Sequence, residues 1–482
     1  MLIGGLLRSL LIRLLAQQEA WNEFLIMMNL SFLHDKTFLR TMLGLALPVA
    51  FQQLITASMN MLDVLMVGQL GEASIAALGL ANQIFFLLIL FLFGVTSGMA
   101  IFTAQFWGKE DVESIRLVLG ICLTAAVTVG LSFALAALLI PETLMRFYTE
   151  DPQVVALGAS YLRIVGFSYV FMGVTTSYMA VLRSITWVKL TVGVSVTAIL
   201  LKTGLAYFLI FGVGGLPALG VRGAALATTL AWTFESLLIV GLSYALKSPL
   251  AANPLTFFRF QQPFLINVLK TAMPAAANEV FWSVGITIYN AVYARIGTQA
   301  IAAININATI EELAFVAYIG LGNACAVMVG NKIGAEEKDT AYEYGRRFTL
   351  LTLGIALVLG LVILVIREPV IGLYEISAQA AGYVRALMTI FAATTWLRAF
   401  NFILFIGALR AGGDTRFAMF MEWFSIWVIG VPAALLGGFV LHLPVHGVYL
   451  MVLLEEAVKA VITLRRYLSR RWIHDLVNAE AA

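Results

Sequence analysis

Charge is scarce in this chain. Only 12% of its 482 residues are charged, against 61% hydrophobic residues and a mean hydropathy of +0.93, whereas a soluble domain carries about 25% charged residues. No soluble fold has enough interior to hide that much apolar surface, which excludes a soluble enzyme or binding module. Cysteine is scarcer still: Cys122 and Cys325, each inside an apolar run, make neither a disulfide framework nor a metal-ligand set. No glycine-rich phosphate loop ending in Gly-Lys-Ser/Thr is present, so ATP-driven work within this chain is unsupported. The net charge of +3 is spread over short loops and leaves no nucleic-acid footprint. His442 and His446 have the spacing of a helical metal pair, but Pro444 stands between them, and no Ser/His couple accompanies them. Neither a catalytic set nor a resident metal or cofactor is expected.

What the chain has in abundance is long apolar runs. Stretches able to cross a bilayer fall at roughly 40–66, 76–103, 117–140, 157–182, 189–213, 219–246, 265–293, 301–328, 346–366, 383–409, 417–441 and 444–464. In lipid each helix satisfies its own backbone hydrogen bonds, so the reading is an all-α integral membrane protein of twelve transmembrane helices. Residues 1–36 form a separate piece, apolar but interrupted by Arg8 and Arg13 and too short to span, which reads as a basic interfacial segment. Met27 or Met28 is a competing start. Residues 37–246 make a first six-helix lobe, 247–264 a polar linker marked by Pro249, Asn253 and Pro254, 265–465 a second six-helix lobe and 466–482 a tail. Lys and Arg crowd the loops on the side that holds both termini, including Lys36, Arg40, Lys109, Arg116, Lys332, Lys338, Arg465 and Arg466. The opposite side has only Arg146, Arg163, Arg222, Arg295, Arg367 and Arg385, which makes the terminal side cytoplasmic.

The two halves repeat. At an offset of 226, Ala46-Leu-Pro48 falls on Ala272-Met-Pro274, Gly71 on Gly297, Gly94 on Gly320, Gly108 on Gly334 and Glu110 on Glu336; slightly later Val181-Leu-Arg183 falls on Ala408-Leu-Arg410. Six helices per half give both halves the same orientation, a parallel internal repeat about an axis along the membrane normal. Two such lobes enclose a central cleft that can open to either side by rocking, the geometry of alternating access.

Residues 38 to 465 resemble the multidrug and toxic compound extrusion family. The likeness rests on Pro48 followed by Met61-Leu-Asp-Val-Leu-Met-Val-Gly68, on Gly71 and the Ala76-Ala77 pair, and on Ala408-Leu-Arg410-Ala-Gly-Gly-Asp-Thr415 after the tenth helix. It implies a V-shaped pair of lobes that exports cationic or amphiphilic small molecules in exchange for protons or sodium ions. The same fold also serves flippases for lipid-linked saccharides or cell-wall precursors, the alternative reading, but those want a cleft dense in basic residues. Arg410 to Arg416 reads as a short turn in which Gly412 and Gly413 supply unusual backbone angles and Asp414 caps the next helix.

Ionisable residues inside spans are costly and therefore informative. Asp63, Glu235, Glu279, Glu311, Glu312, Glu422, Glu455 and Glu456 are the acidic ones, with Lys202, Arg398 and Lys459 as cations. Asp63 matches the family's first-helix aspartate, which implies a coupling site for a proton or sodium ion, with Asn60 one turn away. Glu279 resembles the family's seventh-helix glutamate but lies five residues after the proline, as against eight in one subgroup, and Gln53 is its repeat counterpart. That subgroup's tenth-helix aspartate has no match here, where Trp396-Leu-Arg-Ala-Phe-Asn401 stands. Trp282, Tyr289, Glu311 and Asn401 complete the candidate substrate-binding set, since aromatic faces attract cations. The expected state is a monomer in the plasma (bacterial inner) membrane, both termini cytoplasmic. Single cysteines at positions 71, 141 and 442 should react with an impermeant maleimide only from outside intact cells, and at 338 only after lysis. Labelling of position 71 solely from the inside would overturn this orientation.

Overall fold

The computed structural model describes residues 31–477 apart from 216 and 375. Residues 1–30, which hold most of the interfacial segment and both alternative start methionines, lie outside the described residues. Twelve long helical units follow one another: α1 (Lys36–Gly68), α2 (Glu72–Gly108), α3 (Val112–Leu139), α4 (Pro152–Val165 and Ser168–Ser184), α5 (Val188–Phe211), α6 (Val221–Ala245), α7 (Gln262–Ile296), α8 (Thr298–Gly334), α9 (Lys338–Ile371), α10 (Ala378–Arg410), α11 (Thr415–Val440) and α12 (Val445–Leu468). Among the described residues nine are long and apolar enough to cross a membrane, and the two halves of α4, bent by 51°, make a tenth. The remaining two, α7 and α12, carry Lys270 and Glu279 and Glu455, Glu456 and Lys459, which lower their apolar content.

Turn chemistry sets where these helices begin. Asp35 accepts the Phe38 N–H at 3.0 Å and Asp111 the Ser114 N–H at 3.0 Å, so each caps its helix. The repeat persists in the turns, where Glu110 and Glu336 hold left-handed φ angles of 61° and 63°. Thr186 (φ 67°) stands where the second half has Gly413 (φ 81°). At the turn after α10 the expectation for Gly412 and Asp414 needs correcting. Gly412 is not left-handed; a Cβ there would lie 2.4 Å from the Trp472 ring, so glycine is needed for room. Asp414 occupies the N-cap position without capping, because its carboxylate is taken by Arg466 at 2.7 Å and lies 3.5 Å from His474. Burial alone would raise its pKa; the hydrogen bonds from His474 and Arg466 outweigh that and hold it below the ordinary carboxylate value.

α1–α6 and α7–α12 form two lobes, and small residues make the seam between them. A Cβ on Gly98 of α2 would lie 2.6 Å from the Ala272 Cα of α7, and one on Gly94 would lie 2.7 Å from Ala276. Gly320 of α8 packs on the Ala46 carbonyl of α1, Gly330 on Ala104, Gly334 on the Gln105 carbonyl and Gly108 on the Asn331 carbonyl. Helices in lipid gain no hydrophobic energy from meeting each other, so close backbone approach through such residues supplies the attraction. Each of these contacts falls in the half of its helix nearest the terminal side. On the other half of these helices no glycine makes such an approach to the opposite lobe: Gly68 meets Ile75 and Gly285 meets Ile426, each within its own lobe. The lobes therefore meet on the terminal side and the V opens on the opposite one. Gly98→Leu should overpack the seam at about 1–3 kcal/mol, visible as a lower melting temperature in detergent and reduced transport. Gly44→Leu, which points into open space, should change neither; equal effects of the two would remove the seam's importance.

Candidate functional site

Asp63 lies on α1 beyond the seam, on the half where the cleft opens. Its carboxylate is paired with the Lys202 ammonium of α5, and its Oδ1 is buried without a hydrogen-bond partner. The side chains are 22% and 28% exposed, enough for an incoming ion to reach them and too little for bulk water to screen the pair fully. Asn60 is exposed, and the described partner of Asp63 is Lys202 instead.

The repeat counterpart of Asp63 is Tyr289 on α7, whose hydroxyl donates to Glu455 of α12. Gly430 makes this possible: a Cβ there would lie 1.9 Å from the Tyr289 hydroxyl and 2.1 Å from the Glu455 Oε2. Gly430 closes a π-helical stretch of α11, Ser425–Gly430, a distortion that recurs at functional sites. Further polar groups adjoin. Arg398 of α10 pairs with Glu311 of α8 at 2.5 Å, Tyr449 donates to the same carboxylate at 2.5 Å, and Asn307 donates to it at 2.6 Å. Asn401 donates to Glu456 at 2.5 Å, while Lys459 lies 3.1 Å from Glu422 and 3.8 Å from Glu456. Glu311, Glu422, Glu455 and Glu456 thus face two cations, Arg398 and Lys459, and Glu455 has no cation within ion-pair distance among the described residues. A buried surplus of negative charge is unstable unless protons or cations neutralise it.

Glu279 is held differently. It is 8% exposed and accepts from Arg410 at 2.7 Å, with the guanidinium also over the Phe405 ring at 5.4 Å. The first lobe repeats the brace in neutral form: Arg183 donates to Gln52 at 3.0 Å, leaving Gln53 half-buried beside it. The structure therefore distributes the candidate residues over several places. Asp63 and Asn60 lie on the open half of α1 and Gln53 lower on it. Glu279 is buried against Arg410, Trp282 is exposed, and Tyr289, Glu311 and Asn401 belong to the second-lobe network. Three partners went unassigned by sequence: Lys202 for Asp63, Arg410 for Glu279 and the α12 carboxylates for Tyr289 and Asn401. For Arg410 a signal existed, because the repeat registers Arg183 with Arg410 and Gln52-Gln53 with Asn278-Glu279. Lys459 of α12 pairs with Glu422 of α11, whereas Glu235 accepts from Ser195 at 2.9 Å.

A family model, MatE, matches residues 48–208 and again 274–436, each time starting at the helix proline of one lobe. The uncharacterized transporter YisQ of Bacillus subtilis is 26% identical over 91% of this chain and 96% of its own length. The multidrug resistance protein NorM of Burkholderia vietnamiensis is 27% identical over 80% of this chain and 84% of its own. Among solved structures, a mutant of the Vibrio cholerae MATE transporter VcmN superposes with a TM-score of 0.81 at 19% identity, covering 91% of this chain and 98% of that one. This last likeness concerns the fold.

Lys202→Met should leave the Asp63 carboxylate uncompensated and cost on the order of 2 kcal/mol. That is less than the ~3–5 kcal/mol of a fully buried pair, because both partners are 22–28% exposed. Adding Asp63→Leu should restore part of the melting temperature in detergent. A double variant no more stable than the single one would mean that the two groups do not interact.

Proposed function

The chain belongs to the MatE family of membrane transporters, and on that premise we propose that it is a secondary antiporter that exports cationic or amphiphilic small molecules in exchange for protons or sodium ions. The observation that carries this reading is the Asp63–Lys202 pair on the open half of a cleft between two repeated lobes. One carboxylate can be neutralised by Lys202, by a proton or by a sodium ion, but not by all at once. An ion arriving from outside displaces Lys202, and closure of that side then desolvates the neutralised group. Desolvation favours the uncharged or ion-paired form, so occupancy differs between the two states of the cleft, which is what coupling requires. The second lobe supports a cationic cargo, because its network holds four carboxylates against two cations. The same surplus speaks against a pyrophosphate-bearing lipid as substrate. Glu279 is the second coupling candidate, acting through its exchange of Arg410 for an ion. We further place the protein as a monomer in the plasma membrane, terminal side cytoplasmic, so the closed seam faces inward and the open cleft outward.

Reconstituted vesicles with ethidium as cargo test the coupling. Asp63→Asn should reduce uphill, gradient-driven transport to background while keeping counterflow down the cargo's own gradient. Glu279→Gln should lower both, since Arg410 keeps an acceptor but loses its counter-charge. Full ion-driven efflux by folded Asp63→Asn would transfer the coupling role away from that residue.

A further inference from the structure

The turn after α10 bears a sequence motif that the transport reading leaves without a task. The chain beyond α12 returns to it. After Leu468, Arg470 takes a left-handed φ of 56° and turns the backbone under the second lobe. Trp472 is wholly buried there, its ring stacked on Tyr467 at 5.4 Å and its Nε1 donating to the Tyr467 carbonyl at 3.0 Å. Ile473 pairs with Gly413 as an antiparallel bridge, and the His474 N–H donates to the Gly412 carbonyl at 2.8 Å. Side chains at 412 or 413 would strike Trp472 or Leu476, so the two glycines are the seat of this segment.

From that seat the segment crosses to the other lobe. Val477 joins the first-lobe core with Met99, Phe102 and Phe106, and the Lys109 Nζ donates to the Val477 carbonyl at 3.0 Å. Gln105 of α2 completes the crossing. Its Nε2 donates to the Ala411 carbonyl at 3.1 Å and to the His474 carbonyl at 3.1 Å, and its Oε1 accepts the Leu476 N–H at 2.9 Å. This side chain has no exposed surface, and all three of its hydrogen bonds end on the second lobe's turn or on the returning segment. Gly334 of α8 packs on the same residue's backbone. A buried primary amide with these partners favours the one arrangement of lobes that supplies them, since an unmade buried hydrogen bond is costly.

We propose that residues 470–477 are a strap that locks the terminal side of the cleft, that the 411–414 turn is its seat, and that Gln105 is the positioning residue that must release both for that side to open. The inference rests on the alternating-access reading. It adds that the equilibrium between the two open states is set by polar contacts at the membrane surface, as well as by ion binding within the bilayer. Opening the terminal side separates α2 from α8 and carries Gln105 away from the turn; the strap, rooted in the second lobe through Trp472, goes with the second lobe.

The test uses the full-length chain with Cys122 and Cys325 replaced by alanine. Spin labels at Glu113 and Lys338, both exposed and on opposite lobes of the terminal side, report its opening as a distance distribution in nanodiscs. Gln105→Ala should raise the long-distance population several-fold, and a short linker joined by disulfides to cysteines at 109 and 477, which spans the reach of the Lys109 side chain, should abolish that population together with transport. Reduction of the disulfides should restore both. Gln105→Ala without effect on the distribution in monodisperse protein, or wild-type transport with the linker closed, overturns the lock. If the wild type shows a single distance with and without cargo and ion gradients, alternating access itself fails, and the lock fails with it.

Discussion

Gly334 of α8 lies against the Gln105 carbonyl, and Gly108 of α2 against the Asn331 carbonyl, at distances that leave no space for a Cβ. The rest of the structure depends on this backbone-to-backbone approach between two lobes on one side of the membrane. Lipid cannot enter so narrow a seam. Parting it also undoes side-chain contacts between the lobes: Asp35 with Arg347 at 2.7 Å, Phe38 against Tyr344 and Phe348, and the hydrogen bonds of Gln105. The large buried apolar clusters of the open half each stay within one lobe, whereas those of the terminal half join α1 to α8–α10 and α2 to α7, an arrangement suited to rocking of two bodies about the terminal side.

Charges set the second constraint. In a bilayer each carboxylate needs a counter-charge, and the two lobes answer this need differently. The first holds Asp63 against Lys202 and, separately, Glu235 against Ser195; the second has a connected set, in which Tyr289, Tyr449, Asn307 and Asn401 spread hydrogen bonds over an excess of glutamates. The repeat makes the contrast concrete, since Asp63 and Tyr289 occupy equivalent positions on α1 and α7. One lobe holds an ion pair at that level, and the other a hydroxyl against a carboxylate.

Much of the architecture was legible in the sequence, for physical reasons. Apolar runs and scattered charge dictated spanning helices, and Ala46-Leu-Pro48 on Ala272-Met-Pro274 exposed the repeat that the MatE match at 48 and 274 also marks. Asp63 stood out because an intramembrane carboxylate demands an explanation. Its partner did not, because which face of α5 carries Lys202 toward α1 is decided by packing between helices four spans apart in the chain. In α12, Glu455 and Lys459 have the i,i+4 spacing of a local helical pair. Instead Lys459 turns to Glu422 on α11 and Glu455 to Tyr289 on α7, contacts with no local signature. The misreading of Asp414 has the same origin: its cap position was correct, but Arg466 and His474 arrive from beyond α12 to take its carboxylate.

The central claim is that export is driven by the inward movement of an ion through a cleft that alternates its access. The most direct measurement is ethidium transport by the wild-type protein in vesicles given a proton gradient alone and then a sodium gradient alone. The account expects uphill transport with at least one of them and its collapse on adding the matching ionophore. Transport indifferent to both gradients, or scrambling of a labelled lipid without any cation requirement, would contradict it.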